Sequence, residues 1–455
     1  MGEHKAIDIG SRRELLLDEF LIEKMDNVAL RLHRPLPREV AIVHDAPWEG
    51  NISFYHTIFR DGDLYRMYYR GGHSSDEKKV HHEVVCYAES RDGKTWEKPE
   101  LGIVEFAGSK KNNIIWDGLG SHNFAPFKDI NPDCAPDAAY KALASKGMEA
   151  LYAFKSSDAI HWSLMSDEPV ITDGAFDSQN LAFWDTVRGC YVDFHRDGRD
   201  HGEGKVRDIK TATSDDFLAW SEPVWLEYEG APTEHLYINQ VAPYYRAPHL
   251  YMGFPKRFVP KRTEIDGTDS GLSDSVFMSS RDGRHFRRWG EAFLRPGLQS
   301  ERWINRNNMI AWGLVETAAD IAGTPDEISL YSMEGYYRGD SCQMRRFTLR
   351  VDGFVSLQAP RSGGELLTKV LMFSGGEMVL NVSTSAAGSV RVEIQDEAGR
   401  AIEGYALEDC EEIYGDELER VVRWKGGGDV ARLAGRPVRL RLGLDDADVF
   451  ALQFR

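Results

Sequence analysis

Carboxylates set among amides and histidines recur at widely separated points of this chain. Trp48-Glu49-Gly50-Asn51 follows Asp45, Asp177-Ser178-Gln179-Asn180 stands mid-chain, and Glu234-His235-Leu236-Tyr237-Ile238-Asn239 comes later. Ser121-His122-Asn123 and Asn305-Arg306-Asn307 carry the same amide or imidazole chemistry without an acid. Cleaving a glycosidic bond takes one protonated carboxyl and one ionised carboxylate. Amides and imidazoles that donate and accept suit a ligand rich in hydroxyls, and Trp48 and Tyr237 offer flat faces for a sugar ring. Such distant segments form one site only if the fold gathers them.

A repeat supplies the means. Ser90-Arg-Asp-Gly-Lys-Thr-Trp96 returns as Ser-Ser-Asp-Ala-Ile-His-Trp162, as Thr-Ser-Asp-Asp-Phe-Leu-Ala-Trp220 and as Ser-Ser-Arg-Asp-Gly-Arg-His-Phe286. A fainter copy, Arg-Val-Asp-Gly-Phe, ends at Phe354. The aromatics are 66, 58, 66 and 68 residues apart. A tight Asp turn followed by a buried aromatic closes a hairpin. Strand-like, aromatic-rich runs precede the copies, among them Leu64–Tyr69, Leu151–Phe154, Tyr191–Phe194, Leu250–Phe254 and Ile328–Tyr331. Helical periodicity is nearly absent. Units of about 65 residues that cannot bury both faces alone, set radially, make a β-propeller.

The expected fold is therefore all-β: a five-bladed β-propeller over residues 41–360, followed by a C-terminal β-sandwich over 361–455. Short alternating runs such as Met378–Val382, Ser389–Ile394, Val438–Leu442 and Val449–Phe454, with Gly and Asp between them, carry the sandwich expectation. Residues 1–40 hold two strand candidates, Glu14–Phe20 and Val28–His33. One of them is expected to pair with the fifth blade and close the ring, since an open edge invites aggregation.

Aligning the units on their innermost strands gives Tyr55–Phe59, Asn123–Phe127, Asn180–Trp184, Gln240–Tyr244 and Asn308–Trp312. Four of the five begin with an amide, which places a hydrogen-bond-rich rim at one mouth of the channel. The rim acids are Asp45, Glu49, Asp177 and Glu234, with Glu334 facing them from a loop of the fifth unit. Asp92, Asp158, Asp215 or Asp216, Asp282 and Asp352 belong to the hairpin turns.

Composition narrows the partners. The 73 acidic against 55 basic residues leave a formal charge of -18, which disfavours nucleic acid and anionic membranes as partners but not an uncharged carbohydrate. No apolar run approaches a membrane span. The N-terminus lacks a signal-peptide core, and the five scattered cysteines form no CxxC pair, so the expectation is a cytoplasmic protein with reduced thiols. Neither metal nor cofactor is expected, because no His-x-His or His-Glu-x-x-His spacing occurs.

Five blades, the Ser-x-Asp-Gly-x-x-Trp turn and a C-terminal β-sandwich together resemble the five-bladed propeller glycoside hydrolases of families 32, 43 and 68. The resemblance implies a glycosidase with three rim carboxylates, and Trp48–Asn51 and Phe176–Asn180 match the first-blade and third-blade sites. Glu stands in the first where that family has Asp, and Asp in the third where it has Glu. The second-blade Arg-Asp-Pro motif is replaced by Ser121-His122-Asn123-Phe124, so Glu234 is the substitute acid. The implied roles are Glu49 as base or nucleophile, with Asp177 and Glu234 dividing the acid and stabilising roles. Trp48, His122, Asn123, Gln179, Asn180, His235, Tyr237, Asn239, Asn307 and Glu334 would hold the sugar. Three alternatives stay open: a phosphorylase, whose anion pocket would draw on Arg196, Arg199, Arg207, Lys256 and Arg257, a carbohydrate-binding propeller without catalysis, and a metal-dependent hydrolase using His122, Asp177, His235 and the ring amides, which no ligand spacing supports.

Overall fold

The structure is a computed structural model that describes residues 6–75, 78–202, 204–265 and 271–455. Its contacts divide the chain into Pro35–Leu349 and a second unit of Met1–Arg34 with Arg350–Arg455.

In Pro35–Leu349, four-stranded antiparallel sheets succeed one another in a propeller-like arrangement. Phe54–Asp61, Leu64–Gly71, Val84–Ser90 and Ile114–Asp117 form the first. Ala125–Lys128, Tyr140–Lys146, Ala150–Ser156 and Ser163–Leu164 form the second. Leu181–Asp185, Cys190–Asp200, Lys205–Ser214 and Val224–Trp225 form the third. A seven-stranded sheet comes next, built on Ala242–Tyr244, Ala247–Gly253, Leu272–Ser280 and His285–Leu294. Pro255 accounts for part of its extra strand count: lacking an N–H, it interrupts a strand whose two pieces, Ala247–Gly253 and Lys256–Val259, both pair with Leu272–Ser280.

The last four-stranded sheet joins Val315–Thr317, Glu327–Glu334 and Gln343–Arg350 to Leu36–Val43. This corrects the expected closure. Glu14–Leu15 pairs with Arg439–Phe454, and Ala29–Leu32 with Val355–Ala359, so both candidate strands belong to the other unit. The closing strand begins just after them, where Leu36 and Pro37 open an eight-residue run against the free edge of Gln343–Arg350.

The repeated turn has one geometry at four sites. Ser90 Oγ bonds Asp92 Oδ1 at 2.9 Å and accepts the Gly93 N–H at 2.9 Å, while Asp92 Oδ1 accepts the N–H groups of Lys94 and Thr95 at 2.8 Å. Ser156–Asp158, Ser214–Asp216 and Ser280–Asp282 repeat these bonds. The clamp is strong enough to hold non-glycine residues in the left-handed region, Ala159 at φ 71° and Phe217 at φ 69°. The faint fifth copy differs: Asp352 lies in the second unit, where Arg13 meets its carboxylate.

The second unit connects as one eight-stranded sheet and a two-stranded parallel pair, Ile7–Gly10 with Leu371–Phe373. Met378–Gln395 and Arg439–Phe454 pair along most of their length and carry alternating buried residues. Trp424 is fully buried in its core, and Phe373 stacks on Phe454 at 3.7 Å.

Candidate functional site at the inner-strand mouth

The inner segments of the first and last sheets lie side by side: Ile58 N–H donates to Trp312 O at 2.7 Å and Trp312 N–H to His56 O at 2.9 Å. At or just before the start of the inner segments stand amides that bond mainly backbone. Asn123 Nδ2 donates to Phe176 O at 2.7 Å and Ser178 O at 2.6 Å, and its Oδ1 accepts the Ser145 N–H at 2.8 Å. Asn180 Nδ2 bonds the same two carbonyls, at 3.1 and 2.9 Å. Gln179 donates to His56 O and Thr57 Oγ1, and accepts from Gln240, which also donates to Ile310 O. Asn307 Oδ1 takes the Gly335 N–H at 2.7 Å, and Asn239 bridges Phe194 O and the Val241 N–H. All six are buried and bonded to the inner segments. These bonds give the amides a structural part, because buried backbone groups must find partners.

Glu49, expected as base or nucleophile, is likewise sealed. Its side chain is 0% exposed. Lys98 Nζ bonds it at 2.6 Å, Tyr69 Oη at 2.5 Å and the Ala46 N–H at 3.1 Å. Burial alone would raise this carboxyl; His44 and Lys98 outweigh it and hold it down to about 2. Buried His44 is itself pushed toward its neutral form, which leaves Lys98 as the lasting counter-charge. Glu234 is clasped by Arg288 at 2.6 Å and Arg257 at 3.2 Å. Glu334 is held by Arg345 at 2.8 Å and Gln343 at 3.0 Å. Trp48 donates its indole N–H to Asn113 at 2.6 Å. Each of Glu49, Glu234, Glu334 and Trp48 is thus bonded to neighbours of its own.

Asp177 differs. Its side chain is 45% exposed, and Oδ1 lies 3.1 Å from His122 Nε2. The other His122 nitrogen is 3.0 Å from Glu83 Oε2 and 3.0 Å from Arg70 NH1. Burial would raise the Asp177 carboxyl, but His122, Arg196 and Arg70 lower it below the ordinary range. Glu83 is held well down in the same way by His122 and Arg70, with Lys79 bonded at 2.9 Å. Arg70 is fixed by Ile52 O at 2.9 Å and Tyr336 Oη at 2.6 Å, and its guanidinium lies over Tyr55 at 5.1 Å. Tyr55 Oη meets Tyr237 Oη at 2.7 Å, and burial pushes both phenols up. A depression of about 440 Å³ reaches Glu83 and His122 past Gly118–Ser121 and Ser145–Gly147. The site thus joins one half-exposed ionised carboxylate, an imidazole that links it to a second carboxylate, and two phenols.

His235 stands apart from this group, its Nδ1 accepting the Arg207 N–H at 3.1 Å. A larger cavity, about 500 Å³, lies at the far ends of the inner strands, where Phe127, Trp184, Tyr244 and Trp312 line it. It contains no carboxylate and cannot do this chemistry. Among the described residues, no group of three or more His, Cys, Asp or Glu is arranged to hold a metal ion.

Sequence reasoning singled out Asp177, His122 and Tyr237 and missed Glu83, Arg70, Tyr55 and Tyr336 as members. Arg70 had a visible signal, a cation at the rim end of the run Leu64–Tyr69. Glu83, in a connection just before Val84–Ser90, had none.

No family model and no curated protein matches this chain. Solved structures do resemble it. One described as a glycoside hydrolase has 15% identity and a TM-score of 0.46, covering 69% of this chain and 92% of its own. An N-acetylgalactosamine deacetylase from F. plautii, solved with blood group B trisaccharide, has 12% identity and a TM-score of 0.47, covering 70% and 96%. A structure reported for the mannoside phosphorylase family that contains hydrolases of β-1,2 mannosidic linkages in Candida mannan has 12% identity and a TM-score of 0.39, covering 73% and 96%.

Proposed function

We propose that Pro35–Leu349 is a carbohydrate-active enzyme that cleaves a glycosidic bond where Asp177 meets His122. The observation that carries this reading is the contrast among the nominated acids. Glu49, Glu234 and Glu334 are each bonded to a lysine or arginine, whereas Asp177 is half-exposed and hydrogen-bonded to His122. An ionised, accessible carboxylate serves as base, nucleophile or stabiliser of developing positive charge at the anomeric carbon. His122, within reach of both Asp177 and Glu83, is the side chain through which a proton moves at this mouth. Arg70 and Tyr55, both buried, contact the His122 ring and fix its position.

The same proposal takes the seven-stranded sheet as the fourth of five blades, since it carries the Ser280–Asp282 turn and supplies its own inner strand. It takes the second unit as a sheet folded over its core in the manner of a sandwich. The test is product analysis. The purified chain, incubated with a panel of neutral and acidic oligosaccharides with and without phosphate, is expected to release a shorter sugar or a sugar phosphate from at least one. Sugar bound but returned intact across the panel would favour the binding-module reading instead.

A further inference from the structure

Beside Asp177, whose charge is felt by Arg196 and Arg207, the structure gathers three cations that no carboxylate meets in an ion pair among the described residues. The guanidinium carbons of Arg196 and Arg207 stand 5.1 and 5.9 Å from the Tyr237 ring centroid, and Lys256 Nζ stands 4.8 Å from it. Arg207 and Lys256 also share the Phe258 face, each at 5.3 Å. They come from three strands, Cys190–Asp200, Lys205–Ser214 and Lys256–Val259. Arg196 and Lys256 are 5% and 2% exposed.

Their hydrogen bonds are few. Arg196 Nε donates to Ala175 O at 3.0 Å and Lys256 Nζ to Asn305 Oδ1 at 2.9 Å. Among the described residues no carboxylate pairs with any of the three, although the chain holds 73 acidic residues. Buried cations are ordinarily paired, because desolvation is otherwise uncompensated. Other buried cations in this unit obey that rule: Arg288 takes Glu234, and Lys141 takes Asp129. Burial and the neighbouring Arg306, Arg207 and Arg196 push the Lys256 ammonium well down, the mark of a group whose counter-charge is missing. A neutral sugar would not remove that repulsion.

We propose that Arg196, Arg207 and Lys256 form an oxyanion subsite of the Asp177 mouth, filled by a phosphate or by the carboxylate of a sugar acid. Arginine's fork suits either group, binding two oxygens at once. The Tyr55–Tyr237 hydroxyl pair joins this subsite to the Arg70–His122–Asp177 group, so the anion lies next to the reacting sugar. Assigning the anion to a substrate rests on the glycosidic reading above; anion binding itself does not. If phosphate is a co-substrate, its oxygen bonds the anomeric carbon, the glycosidic C–O bond breaks, and the departing oxygen takes its proton from His122.

Calorimetry and thermal unfolding of the full chain with inorganic phosphate, galacturonate and galactose, at ionic strength fixed with sodium chloride, test this. Phosphate or galacturonate is expected to bind saturably and raise the melting temperature more than galactose does. R207M and K256M are expected to weaken that anion at least about tenfold, and R207M to melt no lower than wild type without ligand, since it removes a charge repelled by Arg196. Neither anion exceeding the chloride control, or both variants binding as wild type does, would overturn the subsite. A sugar phosphate product identifies free phosphate as the anion, and turnover of acidic sugars without phosphate identifies the substituent. Anion binding with no glycoside turned over would remove the enzymatic reading and leave the subsite standing.

Discussion

Asp177 Oδ1 and His122 Nε2 stand 3.1 Å apart, and the ring's other nitrogen is 3.0 Å from Glu83 Oε2. Two carboxylates from the connections leading into different sheets are thereby joined through one imidazole, while Glu49, Glu234 and Glu334 are tied to cations.

The first prediction concerns that imidazole. His122 is the main group lowering the Asp177 carboxyl, helped by Arg196 and Arg70, with the phenols of Tyr55 and Tyr237 facing it. H122F removes the largest lowering contribution, so Asp177 takes up a proton at higher pH. The acidic limb of the pH–rate profile is expected to move upward, with kcat falling more than KM rises. A merely structural His122 would leave that limb in place.

Glu49 belongs to stability. Its carboxyl is held at about 2 against an ordinary value of 4.5, so its contribution is fully present above the unfolded value and is lost as pH falls toward 2. The full contribution is on the order of 3 kcal/mol. E49Q is expected to lower stability at pH 7 and to flatten acid unfolding below about pH 4.5. The remaining folded enzyme keeps wild-type kcat.

The buried amides of the inner segments are expected to behave as ties. Q179A leaves the His56 carbonyl and the Gln240 amide without their buried partner, at a cost of about 2 kcal/mol. Thermal unfolding should show the loss, and KM for any sugar the enzyme turns over should stay near wild type.

Gly313 marks where the first and last inner segments touch. A Cβ there would stand 1.8 Å from Ile58 O, and its φ is 110°. G313A is expected to destabilise by about 3 kcal/mol, whereas alanine at Gly62, whose Cβ meets nothing within 4 Å, is expected to cost about 1 kcal/mol from its positive φ alone.

Much of the scaffold was legible because a turn has a local chemistry. Ser90-x-Asp92 and its three strong copies specify bonds that close within five residues, so sequence alone locates them. Ring closure was not legible, because Leu36–Val43 and the earlier candidates are equally strand-like and only the free edge of Gln343–Arg350 chooses between them. The site was legible in part. Asp177, His122 and Tyr237 stood beside the ladder, but the same reasoning promoted Glu49 and Asn123, whose partners Lys98 and Ser145 are distant in sequence. Residue type shows what a side chain can do, and only long-range partners decide whether it is already engaged.

The most direct measurement compares kcat/KM of D177N, E234Q and E49Q with wild type on the first sugar found to be turned over, each corrected for folded fraction. The account predicts a fall of about a hundredfold or more for D177N, with E234Q and E49Q near wild type. A D177N enzyme as fast as wild type, or E234Q the slow variant instead, would contradict it.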